Sequence, residues 1–513
     1  MFETFESMRK TEKDRERKRR RERSEEGNGE KDDQLGELFG GVGERLRTKT
    51  PPRGKMPMRK IVMLGANART QRSVSSIQLP AEYSPSASSA PYFNYVKDDF
   101  IVDLRQHSGG EEDVTQSELD VDEQKKPLKD LLHERWENAK QFNAFNYSLN
   151  CMYRCLDGKY DLSMQLNIER GELRRKPMHF KNIKEPFNHL RFNFTKLHDK
   201  EILFYLKCDD DPISVDPLDR HLVAVNASPL ERDHSLIIPS VNKCNPQVMT
   251  LQAVRIAVDL MLLVDDDMFH ILFNSLLGQA SVNHLHLHAM YWPYDSDLIN
   301  RRCEPLYDVP DVFVIRPPNW ICPAIVFQLA RIEDYEKFKM NIFKCVEHLT
   351  EANQAHNLFL ARAQPIRTTG AEKEEDRRGE RPQLVTCYVF PRMNMIGAKP
   401  PSNFNPAANE LAGNLTSYTI RFFESANEQA VIRIIEEEAS LDDDTFQSLC
   451  FDLADVLIGR SVGTSRPVDL DVLEGLTSPE IDELRDSFQS FMPRSPSIRH
   501  RSSPRTQSDE GPE

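Results

Sequence analysis

The sequence contains no run of about 18 apolar residues, so it offers no membrane-spanning helix. The apolar stretch Met261-Leu262-Leu263-Val264 is cut off at once by Asp265, Asp266 and Asp267. It is also short of positive charge. Lys and Arg number 67 against 81 Asp and Glu, a net charge of −14, which argues against a general nucleic-acid binder. A locally basic site for an anionic ligand remains compatible with that balance. The nine cysteines are odd in number and scattered, which excludes a regular disulfide framework and suits free thiols in a reducing compartment. Cys151 and Cys155 lack a second pair nearby, so ordinary packing is a better reading than structural zinc. The start, Met1-Phe2-Glu3-Thr4-Phe5-Glu6, has acids where a secretory signal needs an apolar core and a mitochondrial presequence needs none. A cytoplasmic chain with neither a membrane nor a nucleic-acid partner is expected.

At 39% hydrophobic and 29% charged residues, the chain is too polar to be folded throughout. Residues 1–90 read as a disordered tail, with the mixed-sign run Lys10 to Arg23 lacking an apolar face and Ser84 to Pro91 having linker composition. Residues 91–129 read as a linker, 130–460 as the folded, function-bearing domain, and 461–513 as a mostly disordered tail. Within the domain, residues 369–383 are charged and read as a solvated insertion loop. Asp157-Gly158 predicts a hairpin. Strands are predicted over 201–207, 221–225, 235–239 and 384–392, and an amphipathic helix over 442–457. Apolar spacing over 251–277 predicts two helices divided by the acidic trio. The mixture makes the class α+β.

The chemistry-bearing segment is Ser281-Val282-Asn283-His284-Leu285-His286-Leu287-His288-Ala289. On a strand, His284, His286 and His288 share one face, about 6.6 Å apart, while Leu285, Leu287 and Ala289 face the core. Three readings compete. A purely structural strand would need a partner for every imidazole in a dry interior. A metal site would use neutral imidazole, but no carboxylate or Cys completes the set locally. A nucleophilic His flanked by orienting groups fits the pattern best, with the central His286 as the attacking ring.

His284-Leu285-His286-Leu287-His288 resembles the histidine-triad signature, and Gly278-Gln279-Ala280-Ser281-Val282-Asn283 resembles its approach. Asn274 lies where that superfamily places an Asn, and Val225 to Pro239 resembles its strand, turn, His and second strand. Further blocks resemble the GDP-hexose phosphorylases, which act on GDP-D-glucose in animals and GDP-L-galactose in plants. These are Gln165 to Gly171 with Arg174 to Pro177, Phe192 to Lys196, Phe273 to Leu276, His356 to Phe359, Val389 to Arg392, and Asn405 to Gly413. The resemblance covers roughly residues 130 to 460.

That resemblance implies a galactose-1-phosphate uridylyltransferase-like antiparallel sheet with flanking helices. It implies phosphorolysis of GDP-D-glucose by inorganic phosphate, giving GDP and D-glucose 1-phosphate through a guanylylated His286, without metal or other cofactor. His284, His288 and His234 would support the nucleophile. Asn226, Asn274 and Ser281 would contact the nucleotide and its phosphates. The plant branch carries Gln where this chain has His288, and a His can move a proton to or from water. A nucleotide hydrolase is therefore one alternative, and an inactive nucleotide-binding scaffold another. Arg316, Arg362 and Arg392 are named only as cationic candidates for meeting phosphate, and the sequence is silent on oligomeric state.

Overall fold

Runs rich in Val, Ile, Leu and Phe supply the strands, as their β-branched and aromatic content dictates. The computed structural model describes residues 90–101, 126–175, 178–211, 219–294, 296–367, 384–395 and 403–460. Its strands are β1 (Tyr92–Tyr95), β2 (Met152–Cys155), β3 (Ser163–Leu166), β4 (Ile202–Cys208), β5 (His221–Val225), β6 (Ser235–Ile238), β7 (Phe269–Asn274), β8 (Leu287–Tyr291), β9 (Glu304–Pro305), β10 (Val312–Ile315), β11 (Ala324–Gln328), β12 (His356–Ala363), β13 (Leu384–Pro391) and β14 (Asn414–Ser417). Eleven of them form one sheet in the order β1-β4-β5-β6-β8-β7-β12-β13-β11-β10-β9. Only the β1–β4 edge pair is parallel in that sheet. A second sheet runs β14-β3-β2. The fold is α+β, a mixed sheet with flanking helices.

The large sheet has two dry faces. On one, Ile271, Phe273, Leu285, Leu287 and Ala289 pack with helices Leu128–Gln141, Leu251–Leu263, Tyr335–Glu351 and Asp443–Ile458. On the other, Leu272, Met290, Phe359 and Tyr388 pack against the small sheet through Met164 and Leu415. Each fully buried Leu, Ile or Phe contributes roughly 1.5–3 kcal/mol, so Leu285 and Leu287, both 0% exposed, pin the segment that carries the histidines.

Two sequence expectations are corrected. Phe269–Asn274 is a strand, not a second helix. It lies mid-sheet, where both faces are covered, so its continuous apolar run carries no helical meaning. The expected hairpin forms, with β2 pairing antiparallel to β3, and Asp157-Gly158 lies in its connecting loop over residues 156–162, which is longer than a two-residue turn. Glu428 holds that loop open by accepting from the Lys159 and Tyr160 N–H groups at 2.8 and 2.7 Å. Tyr92–Tyr95, inside the expected linker, forms the edge strand β1. The expected tails (apart from Ala90) and the 369–383 insertion lie outside the described residues. No helix among the described residues is long and apolar enough to cross a membrane.

Candidate active site

The histidine segment enters from a tight corner after β7. A Cβ on Gly278 would stand 2.7 Å from Ser275 Oγ and 2.9 Å from the His356 carbonyl, so the backbone approach there needs glycine. The chain then runs extended into β8. The expected alternation holds, but only His288 lies within the strand; His284 and His286 precede it.

Hydrogen-bond partners fix the proton positions. His286 Nδ1 lies 2.7 Å from the His284 carbonyl and 2.8 Å from Gln247 Oε1. A carbonyl only accepts, so Nδ1 carries the proton and Nε2 is bare. Among the described residues nothing hydrogen-bonds that Nε2, and His286 lines a cleft. Burial pushes its pKa down to about 4, so the ring is neutral near pH 7.

A second chain of bonds orients His288. The Leu230 N–H donates to His234 Nδ1 at 2.9 Å, which leaves the proton of neutral His234 on Nε2. That Nε2 lies 3.0 Å from His288 Nδ1, so His288 accepts there and carries its own proton on Nε2. Asn226 Nδ2 stands 3.2 Å from His234 Nε2. Its Oδ1 takes the Ser228 N–H at 3.0 Å. A backbone N–H cannot be exchanged, so Leu230 sets the direction and the Asn226 contact is secondary. Burial holds both rings well below the usual histidine range.

His284 stands apart from the cleft. Its ring is 0% exposed and lies between Phe187 and Phe194, with centroids at 5.0 and 5.5 Å. Its Nδ1 accepts from the Phe194 N–H at 3.1 Å. The backbone carbonyl, rather than the imidazole, is what His284 presents to His286. Burial, and next the neighbouring His286, push its pKa down to about 3.

The cleft holds about 1220 Å³ including its open mouth. His286, His288, Asn226, Asn274 and Ser281 all line it; His234 and His284 are behind its wall. Asn274 Oδ1 is occupied by Asn357 Nδ2 (2.6 Å) and the Ala408 N–H (3.0 Å), which leaves its amide hydrogens for the cleft. Part of its lining is apolar, with Phe192, Phe194, Leu197 and Leu236, and part is cationic.

That cationic bank, Arg170, Arg174 and Arg175, was not singled out from the sequence. Arg170 and Arg174 are spaced i,i+4 at the short helix Ile168–Leu173, which puts them on one side. Tyr418 backs Arg174, its ring centroid 5.1 Å from the guanidinium. Arg175 stacks over Phe192 at 3.0 Å. The cationic candidates named from the sequence are elsewhere. Arg362 donates to the Met261 and Val264 carbonyls, Arg392 donates within the core to the Pro406 and Glu438 backbone carbonyls, and Arg316 pairs with Glu304 and Asp443. Glu410 was also missed. It lines the cleft at 4% exposure, and burial pushes its carboxyl up to about 7. Among the described residues no group of three or more His, Cys, Asp or Glu is arranged to hold a metal.

Two family models match this chain, "GDPGP1-like, N-terminal domain" over residues 127–290 and "GDPGP1-like, C-terminal domain" over residues 317–457. GDP-D-glucose phosphorylase 1 of Caenorhabditis elegans is 88% identical over 460 residues, 90% of this chain and 95% of that protein. GDP-D-glucose phosphorylase 1 of Danio rerio is 33% identical over 69% of this chain and 96% of its own length. A solved structure of the yeast Ap4A phosphorylase Apa2 with AMP aligns with a TM-score of 0.41 at 12% identity, over 60% of this chain and 94% of that one. Sequence identity along nearly the whole length of these relatives establishes that the chain belongs to the GDP-D-glucose phosphorylase family.

Proposed function

We propose that the chain cleaves GDP-D-glucose by phosphorolysis, with His286 Nε2 as the nucleophile. The bare Nε2 at the cleft wall, its ring held by the Nδ1–H bond to the His284 carbonyl, carries this reading. Nε2 attacks the phosphorus bonded to guanosine. The bond to the bridging oxygen breaks, and D-glucose 1-phosphate leaves with that oxygen and its electron pair. Inorganic phosphate then attacks the guanylyl-histidine, releasing GDP and restoring the imidazole. Covalent capture splits one displacement into two steps.

Charge on the transferred group must be met by oriented donors. The Nε2–H of His288, the amide hydrogens of Asn274 and the Ser281 hydroxyl are the donors at the triad end. Arg170, Arg174 and Arg175 supply positive charge to the second phosphoryl group of the substrate and to the incoming phosphate. That bank favours phosphate over water as acceptor, because water gains nothing from three cations. The apolar part of the lining suits a purine base. All nine cysteines are free thiols, in keeping with a cytoplasmic enzyme.

The test uses GDP-D-glucose labelled in the guanosine-side phosphate. Without added phosphate, the wild-type protein should form an acid-labile adduct that phosphate discharges as labelled GDP. His286→Asn should form no adduct and lose turnover by more than about a thousandfold. Full phosphorolysis by that variant would overturn the assignment. Labelled GMP appearing in place of GDP would make the protein a hydrolase.

A further inference from the structure

We infer that Gln247 is the positioning residue that fixes the ring and main chain of His286, on the reading that His286 is the nucleophile. Gln247 lies in the loop before helix Leu251–Leu263 and is 0% exposed. Its side-chain amide spends every hydrogen-bonding position on the site. Oε1 accepts from the His286 backbone N–H at 2.9 Å and from Nδ1–H at 2.8 Å. Nε2 donates to the His286 carbonyl and to the Asn274 carbonyl, both at 3.0 Å. Its own backbone N–H donates to Asn283 Oδ1 at 2.8 Å.

The amide orientation is forced. Two carbonyls face one end of the amide and can only accept, so the NH2 must be there. The oxygen must then face His286, and Nδ1 must bring a hydrogen to it. The same conclusion follows separately from the His284 carbonyl, but that bond alone leaves the ring free to rock about it. Gln247 supplies the second anchor and ties the nucleophile to Asn274 at the end of β7, a donor to the same cleft. A ring held from two sides keeps its Nε2 lone pair aimed at one point, which is where orientation contributes to rate.

Two variants test this in the full-length enzyme. Gln247→Leu removes both acceptor bonds, and Gln247→Glu keeps an oxygen at the Oε1 position. The readout is the rate of guanylyl-adduct formation per adduct-forming site, so unfolded protein does not count. Gln247→Leu should lower that rate by about ten- to a thousandfold with the KM for GDP-D-glucose within about threefold of wild type. Gln247→Glu restores the acceptor but turns its second oxygen on the His286 and Asn274 carbonyls, so it should recover only part of the loss at pH 8.

The glutamate variant also carries a signature that structural damage would not produce. The titratable neighbours of His286 are His284 and His288 on its own segment, with Arg170 acting on His288 from the helix Ile168–Leu173. A carboxylate at position 247 adds a negative charge against Nδ1–H and favours the imidazolium. The acid limb of adduct formation should move up by at least one pH unit. Should Gln247→Leu fail to fold, this shift decides the matter. A rate for Gln247→Leu within threefold of wild type, or an unshifted limb in Gln247→Glu, overturns the role. Neither result touches the nucleophile reading, which fails only if His286→Asn still turns over.

Discussion

His234 Nε2 and His288 Nδ1 meet at 3.0 Å, and the Leu230 N–H on the far side of His234 sets the direction of that bond. The proton of His288 is thereby held on Nε2, at the cleft. A donor there is what the departing phosphate oxygen needs; a proton is not, because glucose 1-phosphate is a phosphate monoester whose second pKa is near 6. An amide N–H can make the same bond. His288→Gln is therefore expected to keep phosphorolysis within about tenfold of wild type. Release of GMP to water, which gains from a group able to take a proton, should fall further. Product analysis with and without phosphate checks both. Loss of phosphorolysis by a factor of a hundred or more would mean that His288 transfers a proton after all.

The cationic bank gives a second expectation. A charge-assisted hydrogen bond is worth about 1.5–3 kcal/mol, so removing one from bound phosphate should raise its KM by about 10- to 150-fold. Arg174→Gln and Arg175→Gln are the informative changes, because Arg170 also holds the Ser228 carbonyl. Initial rates against phosphate at saturating GDP-D-glucose report the effect. Unchanged phosphate KM in both variants would remove the bank from the acceptor site.

Glu410 links the cleft to stability. Burial raises its carboxyl from the ordinary 4.5 to about 7. Between those values the unfolded chain has released the proton and the folded chain has not, so this group's contribution falls as pH rises from 4.5 to 7. The loss is on the order of 3 kcal/mol. Above pH 7 it is complete. Glu410→Gln carries no such dependence and should gain on the wild type between pH 5 and pH 8. Denaturant midpoints of the ligand-free proteins at both pH values measure the gain. A constant difference would place the carboxyl in its ordinary range.

Buried histidines act in the opposite sense. His284 is pushed down to about 3, and His270, His286 and His356 to about 4, all chiefly by burial. Each folded value lies below the unfolded 6.5, so nothing is lost above that pH. As pH falls from 6.5 towards 4 the unfolded chain binds protons that the folded chain refuses. Stability should drop by up to ~1.4 kcal/mol per pH unit for each such ring. Acid unfolding should show uptake of several protons, measurable from the pH slope of the denaturant midpoint. Uptake of less than one proton would contradict this.

Four of the eleven strands of the large sheet could be read from the chain as short apolar runs. Ile202–Cys208, His221–Val225, Ser235–Ile238 and Leu384–Pro391 all fall within a residue of expectation. Phe269–Asn274 did not, since a strand covered on both faces loses the alternation that distinguishes it from a helix. In the cleft, the alternating histidines announced themselves by spacing. Arg170 and Arg174 had an i,i+4 signal, but surface helices often share it. Glu410 and Gln247 had none. A lone Glu or Gln becomes special only when folding removes its water, and burial of that kind is set by residues far away in sequence.

One seam in the sheet bears on how such a protein can be taken apart. β7 pairs with β12, and Asn274 takes its two fixed partners from Asn357 and Ala408. The first family segment ends at 290 and the second begins at 317, so this seam joins them. A gene fragment ending between them would leave β7 as a raw hydrophobic border, inviting aggregation, and would cut its cleft asparagine loose from both moorings. The halves are divisible on paper only; as matter they are a single object.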